Sequence, residues 1–183
     1  MTNGETDDSS TNLYGGKIGG DWDIAVEGFV RDGRVGHSHL SVPGPDGRWG
    51  FGGSCFPKDV NALIKTANSV GYHPELIAAV DGVNQRQKQV IVQKIIARFG
   101  EDLTGKKFAL WGLSFKPETD DIRQAPALDN IEALLAEGAE LIVYDPEAME
   151  NVKAIFGDKI QFANRSTEAL KDVDALLICT EWA

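Results

Sequence analysis

From Lys106 onward the sequence alternates short apolar runs with helical stretches, and this alternation constrains the fold more than any other feature of the chain. "KKFALWGLSF" reads as a strand and "APALDNIEALLAEG" as a helix closed by Gly138. "AELIVYDP" is a second strand, followed by a weaker helix through "EAMENVKAIFG". "IQF" is a short strand, "STEALKD" opens with a capping-box-like Ser-x-Glu before a short helix, and "DALLICTEW" is a buried strand. Strands this continuously apolar predict a parallel sheet covered on both faces. No internal repeat is visible.

The first half has a different rhythm. Residues 1–20 are rich in Gly, Ser, Thr, Asn and Asp and read as a disordered tail. "DWDIAVEGFV" places Trp22, Ala25, Val26 and Phe29 at helical spacing. The segment from Arg31 to Gly53 carries Gly and Pro every few residues and reads as a long irregular loop. "FPKDVNALIKTANSVG" predicts a helix with Pro57 in its first turn, an apolar face of Val60, Leu63, Ile64 and Ala67, and a stop at Gly71. "HPELIAAVDGVNQRQKQVIVQKIIARFG" reads as one long helix, relaxed near Gly82 and ended by Gly100. The expected organisation is a tail (1–20), a helical unit (21–103) and a partial Rossmann-like parallel α/β unit (104–183). The fold class is α/β.

Charge narrows the partners. The 183 residues carry a formal net charge of -10, which disfavours nucleic acid and anionic membrane. No apolar run is long enough to span a bilayer, and the acidic N-terminus lacks the apolar core of a signal peptide. With two cysteines in unlike settings, a reducing cytoplasm is the expected location. His37, His39 and His73 lack the spacing of a metal site, so no metal is expected. "GEDLTGKK" resembles a phosphate loop, but it ends in Lys where Ser or Thr is needed and precedes a strand instead of following one. After "KKFALW" the glycines of a dinucleotide fingerprint are missing, and Asp145 is best explained as a turn-forming Asp-Pro.

Two segments carry chemistry. In "GFGGSCFPKD", Gly50, Gly52 and Gly53 let backbone approach a ligand. Cys55 lies just ahead of a helix start, where the dipole favours a thiolate, and Lys58 adds positive charge. Asp59 is placed to act as a base or to orient water. Cys179, inside an apolar run, reads as structural. "SFKPETDDIR" follows a strand, where open α/β sheets bind ligands, and offers Lys116 and Arg123 to phosphates, though Glu118, Asp120 and Asp121 are available to neutralise them.

Taken together, "GFGGSCFPKD", "SFKPETDDIRQAP", the loop "DGRVGHSHLSVPGPDG", "VYDP" and "ICTEW" resemble the nucleotide-sugar dehydrogenases, in the same order, over roughly residues 21–183. The likeness is greatest to the branch that oxidises UDP-glucose, with GDP-mannose as the alternative substrate. The resemblance implies oxidation of UDP-glucose to UDP-glucuronate with two NAD+, through a thiohemiacetal and a thioester on Cys55, with Asp59 positioning or activating water. It implies that Lys58 and Arg123 lie toward NAD, that Phe51, Gly52, Phe115 and Lys116 contact the nucleotide sugar, and that Arg34 reaches the partner subunit's substrate in a homodimer. It also implies that an N-terminal NAD-binding domain and the last strands of the UDP domain are missing from this chain. The chain alone is then expected to be inactive, or to serve as a nucleotide-sugar-binding or dimerisation module.

Overall fold

The computed structural model describes residues 20–37, 40 and 50–182. The tail expected over 1–20, except Gly20, and the loop segments 38–39 and 41–49, which include His39 and the "VPGPDG" stretch, lie outside them. The chain forms two compact units, Met1–Gly50 and Phe51–Ala183.

The first unit contributes helix α1 (Trp22–Phe29). Asp21 caps it, its carboxylate accepting the Ile24 N–H at 3.1 Å, the usual device for an orphan donor at a helix start.

The second unit begins with helix α2 (Phe56–Ser69), followed by α3 (Glu75–Lys88) and α4 (Val90–Phe99). The segment read as one helix is therefore two, and the break falls at Gln89 instead of Gly82. The Gln89 N–H reaches back to the Arg86 and Gln87 carbonyls, so the last turn of α3 tightens before α4 sets off. Packing supplies the reason. Helix α4 buries Val92 and Ile95 in the main core, while α3 turns Asn84 and Lys88 inward. The expected apolar face of α2 is only half-covered, and Leu63 is exposed.

Strands β1 (Lys107–Trp111), β2 (Glu140–Tyr144), β3 (Gln161–Phe162) and β4 (Ala175–Ile178) form a four-stranded parallel sheet in the order β3-β2-β1-β4. Helices α5 (Pro126–Ala136) and α6 (Met149–Phe156) connect strands that step the same way across the sheet. Right-handed crossovers put both helices on one face. There Phe108, Leu110, Leu141 and Val143 pack with Ile131, Leu134, Val152 and Phe156 in one core, continuous through the fully buried Leu103 to α4. Each such side chain contributes about 1.5–3 kcal/mol by leaving water. The other face is not covered as expected. Among the described residues, Ala109, Trp111, Ile142 and Tyr144 meet a small cluster around Ala163, Ala169 and Val173, and "STEALKD" forms a single 3-10 turn (Glu168–Leu170) instead of a helix.

Among the described residues no helix is long and apolar enough to cross a membrane, and no group of three or more His, Cys, Asp or Glu could hold a metal ion.

Candidate active site

Strand order reverses between β1 and β4, since β2 and β3 lie to one side of β1 and β4 to the other. Open α/β sheets bind ligands at such a switch point, beyond the carboxyl ends of the strands. Here the two chain segments leaving the sheet are tied together. Gly112 adopts φ +83, and a methyl added there would lie within 2.5 Å of the Thr180 backbone, so only glycine fits. The Thr180 hydroxyl donates to the Ser114 carbonyl at 2.5 Å.

Asp145, at the end of β2, is buried and does more than form a turn. One of its oxygens accepts the Leu113 and Ser114 N–H groups (2.6 and 3.3 Å) and the Trp182 ring N–H (3.1 Å). The other accepts the Glu147 and Ala148 N–H groups at 2.9 and 2.8 Å. The chain leaving β1 is thereby fixed just before Phe115 and Lys116. The Lys116 ammonium lies 5.5 Å from the Phe115 ring centre and forms no ion pair among the described residues.

The cysteine loop packs onto this segment. Cys55 precedes the first residue of α2, is exposed, and has Ser54 Oγ 3.6 Å from its sulfur. A methyl on Gly52 would stand 3.0 Å from the Gln124 carbonyl oxygen, and one on Gly53, at φ +83, would stand 2.8 Å from Phe115 Cε2. The two glycines thus let the loop lie against Phe115 and Gln124. We expect Gly53→Ala to lower stability by about 3 kcal/mol, from about 1–2 for the left-handed backbone and about 1–3 for the displaced ring. Gly36→Ala, where added bulk meets nothing within 4 Å, is expected to stay within about 0.5 kcal/mol. Urea unfolding of the pair checks this, and equal midpoints would contradict the packing argument.

Of the cations, Lys58 pairs with Asp59 at 2.9 Å, which holds its ammonium above the usual range, with a weaker electrostatic contribution from nearby Cys55. Arg123 donates from Nε and Nη2 to Asp121 at 2.9 and 2.7 Å, which raises the guanidinium and lowers the Asp121 carboxyl. Cys55 contributes to the Arg123 shift as well, so its sulfur lies within electrostatic reach of both cations. Phe51, Gly52, Cys55, Lys58, Asp59, Phe115, Lys116 and Arg123 thus belong to one compact unit. Arg34 lies in the other unit, bound to Asp32 through Nε at 2.9 Å.

Sequence reasoning passed over the supports of this site. Asn84 is buried and pairs with both backbone groups of Phe51, and buried Lys88 donates to Gln124 Oε1 at 2.9 Å and meets Asp129 at 3.2 Å. Their signal was present as polar residues one helical turn apart on α3. An open surface pocket of about 570 Å³ is lined by Glu118, Thr119, Asp120, Glu147 and Trp182. Its three carboxylates make it a poor seat for a phosphate.

The architecture is an open parallel α/β sheet with a glycine-rich, cysteine-bearing loop and three helices joined to it in one compact unit. Comparison with known families gives this class a name. Residues 12–86 match the central domain, and residues 109–183 the UDP binding domain, of the UDP-glucose/GDP-mannose dehydrogenase family. The chain belongs to that family. It is 41% identical to a UDP-glucose 6-dehydrogenase of Rhizobium meliloti over 91% of its own length and 37% of that protein's. It is 42% identical to one from Haloferax volcanii over 86% and 35%. A UDP-glucose dehydrogenase structure from Pyrobaculum islandicum superposes with a TM-score of 0.75 at 34% identity, covering 91% of this chain and 37% of that one. A GDP-mannose dehydrogenase from Pseudomonas aeruginosa, at 23% identity and a TM-score of 0.63, shares the fold. The chain thus spans somewhat more than a third of the relatives it matches.

Proposed function

We propose that this chain is the sugar-nucleotide-binding and nucleophile-bearing part of an NAD-dependent UDP-glucose 6-dehydrogenase, working in the cytoplasm as a homodimer. The observation that carries the reading is the packing of the Cys55 loop, through Gly53, onto Phe115 at the sheet's switch point. This supports a nucleophile at Cys55 beside the segment of Lys116, a cation that forms no ion pair among the described residues and so suits a diphosphate. UDP-glucose is preferred to GDP-mannose because the relatives at about 40% identity carry the former name. Exposed Leu76, Val80 and Val83 along α3 support self-association.

In this reading Lys116 holds a phosphate, and the rings of Phe51 and Phe115 and the bare backbone of Gly52 enclose the sugar. The Cys55 sulfur adds to the C6 aldehyde, and Asp59 orients the water that later releases the acid. No glycine-rich dinucleotide cradle follows β1 among the described residues. What fits NAD here is peripheral: Lys58 and Arg123, two exposed cations within electrostatic reach of Cys55. NAD+, when bound, supplies the hydride acceptor. Arg34 would act on a partner's substrate.

Calorimetry with UDP-glucose tests the reading. The chain is expected to bind it, and Lys116→Ala to weaken binding about tenfold, the loss of one charge-assisted contact. A wild-type chain that takes up no UDP-glucose would remove the proposal.

A further inference from the structure

We infer that Asn84 is a positioning residue for Cys55, holding the cysteine loop from behind through the backbone of Phe51; this rests on the nucleophile reading above. The Asn84 side chain is 4% exposed. Its Oδ1 accepts the Phe51 N–H at 2.8 Å and its Nδ2 donates to the Phe51 carbonyl at 2.9 Å. A side-chain amide that meets both backbone groups of one residue stands in for a neighbouring β-strand and fixes that peptide in place and orientation. The loop's own backbone has little preference of its own, since three of its first four residues are glycine and both Gly50 and Gly53 take positive φ. Only three residues, Gly52, Gly53 and Ser54, separate the clamped Phe51 from Cys55.

The same helix controls the facing segment. One turn further along α3, Lys88 is 6% exposed and donates to Gln124, whose carbonyl abuts Gly52. Asp129 at the start of α5 completes this tie. A single face of α3 therefore sets the cysteine loop against the nucleotide segment. Neither Asn84 nor Lys88 needs to touch substrate for this. The geometry assigns them to the separation between sulfur and sugar, the quantity on which an addition to a carbonyl depends most steeply.

The test uses the full chain and a chloromethyl ketone linked to UDP. The Cys55 sulfur displaces chloride: the S–C bond forms, the C–Cl bond breaks, chloride leaves and the thiol proton passes to solvent. Mass spectrometry follows the adduct and yields KI and kinact, with iodoacetamide as the undirected control. In Asn84→Ala, kinact is expected to fall about tenfold while KI and the iodoacetamide rate stay within about twofold. An unchanged kinact overturns the inference. So does a parallel change in all three quantities, which would mark a purely structural role. Should Asn84→Ala not fold, Asn84→Asp keeps the acceptor for the Phe51 N–H and loses the donor to its carbonyl, and a wild-type kinact there overturns the inference equally. If the wild-type chain shows no saturation, the UDP-sugar reading itself has failed, a result distinct from a failure of the Asn84 role.

Discussion

Asp145→Ala is expected to destabilise the chain by about 4 kcal/mol, near the upper end of what a single substitution does. The carboxylate accepts from four backbone N–H groups and one indole. Removing it strands donors in a buried site, each at a cost of about 1–3 kcal/mol, partly relieved by water entering the space. Asp145→Asn should fall between the two. It keeps the volume and one oxygen, but turns an NH2 toward N–H groups that also donate. Thermal or urea unfolding measures both. A loss below about 1 kcal/mol in Asp145→Ala would mean that water replaces the carboxylate without strain. The consequence reaches the site, because the Leu113 and Ser114 peptides held by Asp145 set the direction in which Phe115 and Lys116 leave the sheet. UDP-glucose affinity should therefore fall with stability in this variant.

The strands of this domain were legible because their identity depends on local composition. "KFALW", "ELIVY" and "ALLI" are apolar enough to be strands wherever they pack. The uneven cover of the sheet was not legible in the same way. It follows from strand order, which sends α5 and α6 to one face, and no local pattern encodes that order. The break at Gln89 had the same origin. Gly82 is the weaker residue by propensity, but α3 stays helical through it because Asn84 and Lys88 must keep their partners. The chain bends where α4 begins to serve the sheet core.

The site divides along the same line. Cys55 and its glycines stood out because they are adjacent in sequence. Their supports did not, because Asn84 lies 33 residues from Phe51 and Lys88 36 residues from Gln124. Asp145 was read correctly as forming a turn, through Glu147 and Ala148. Its second oxygen, reaching back to Leu113 and Ser114, could not be inferred from Asp-Pro alone.

Cys55→Ser is expected to abolish all thiol chemistry of the folded chain. The other cysteine, Cys179, has its thiol pushed up to about 12 by burial, against the weaker opposing effect of the Asn130 amide. At neutral pH such a thiol stays protonated, and only the thiolate is a useful nucleophile. Cys55 is exposed at the start of α2. Native wild-type chain should therefore take up iodoacetamide at Cys55 alone and the variant at neither site, while denaturant should reveal Cys179 in both. Labelling of native Cys55→Ser would place the reactive thiol at Cys179 and remove the nucleophile reading. The same contrast should hold with the 6-aldehyde of UDP-glucose. There the sulfur bonds to C6 and the thiol proton moves to the aldehyde oxygen, with no change of oxidation state. A serine hydroxyl with no adjacent base adds far more weakly at this pH. An aldehyde carbon can surrender its hydrogen as hydride only once it has been made tetrahedral. In the reaction proposed above, the step from aldehyde to acid is thus the one that would use Cys55, while the first oxidation, from alcohol to aldehyde, calls only for a base and an acceptor.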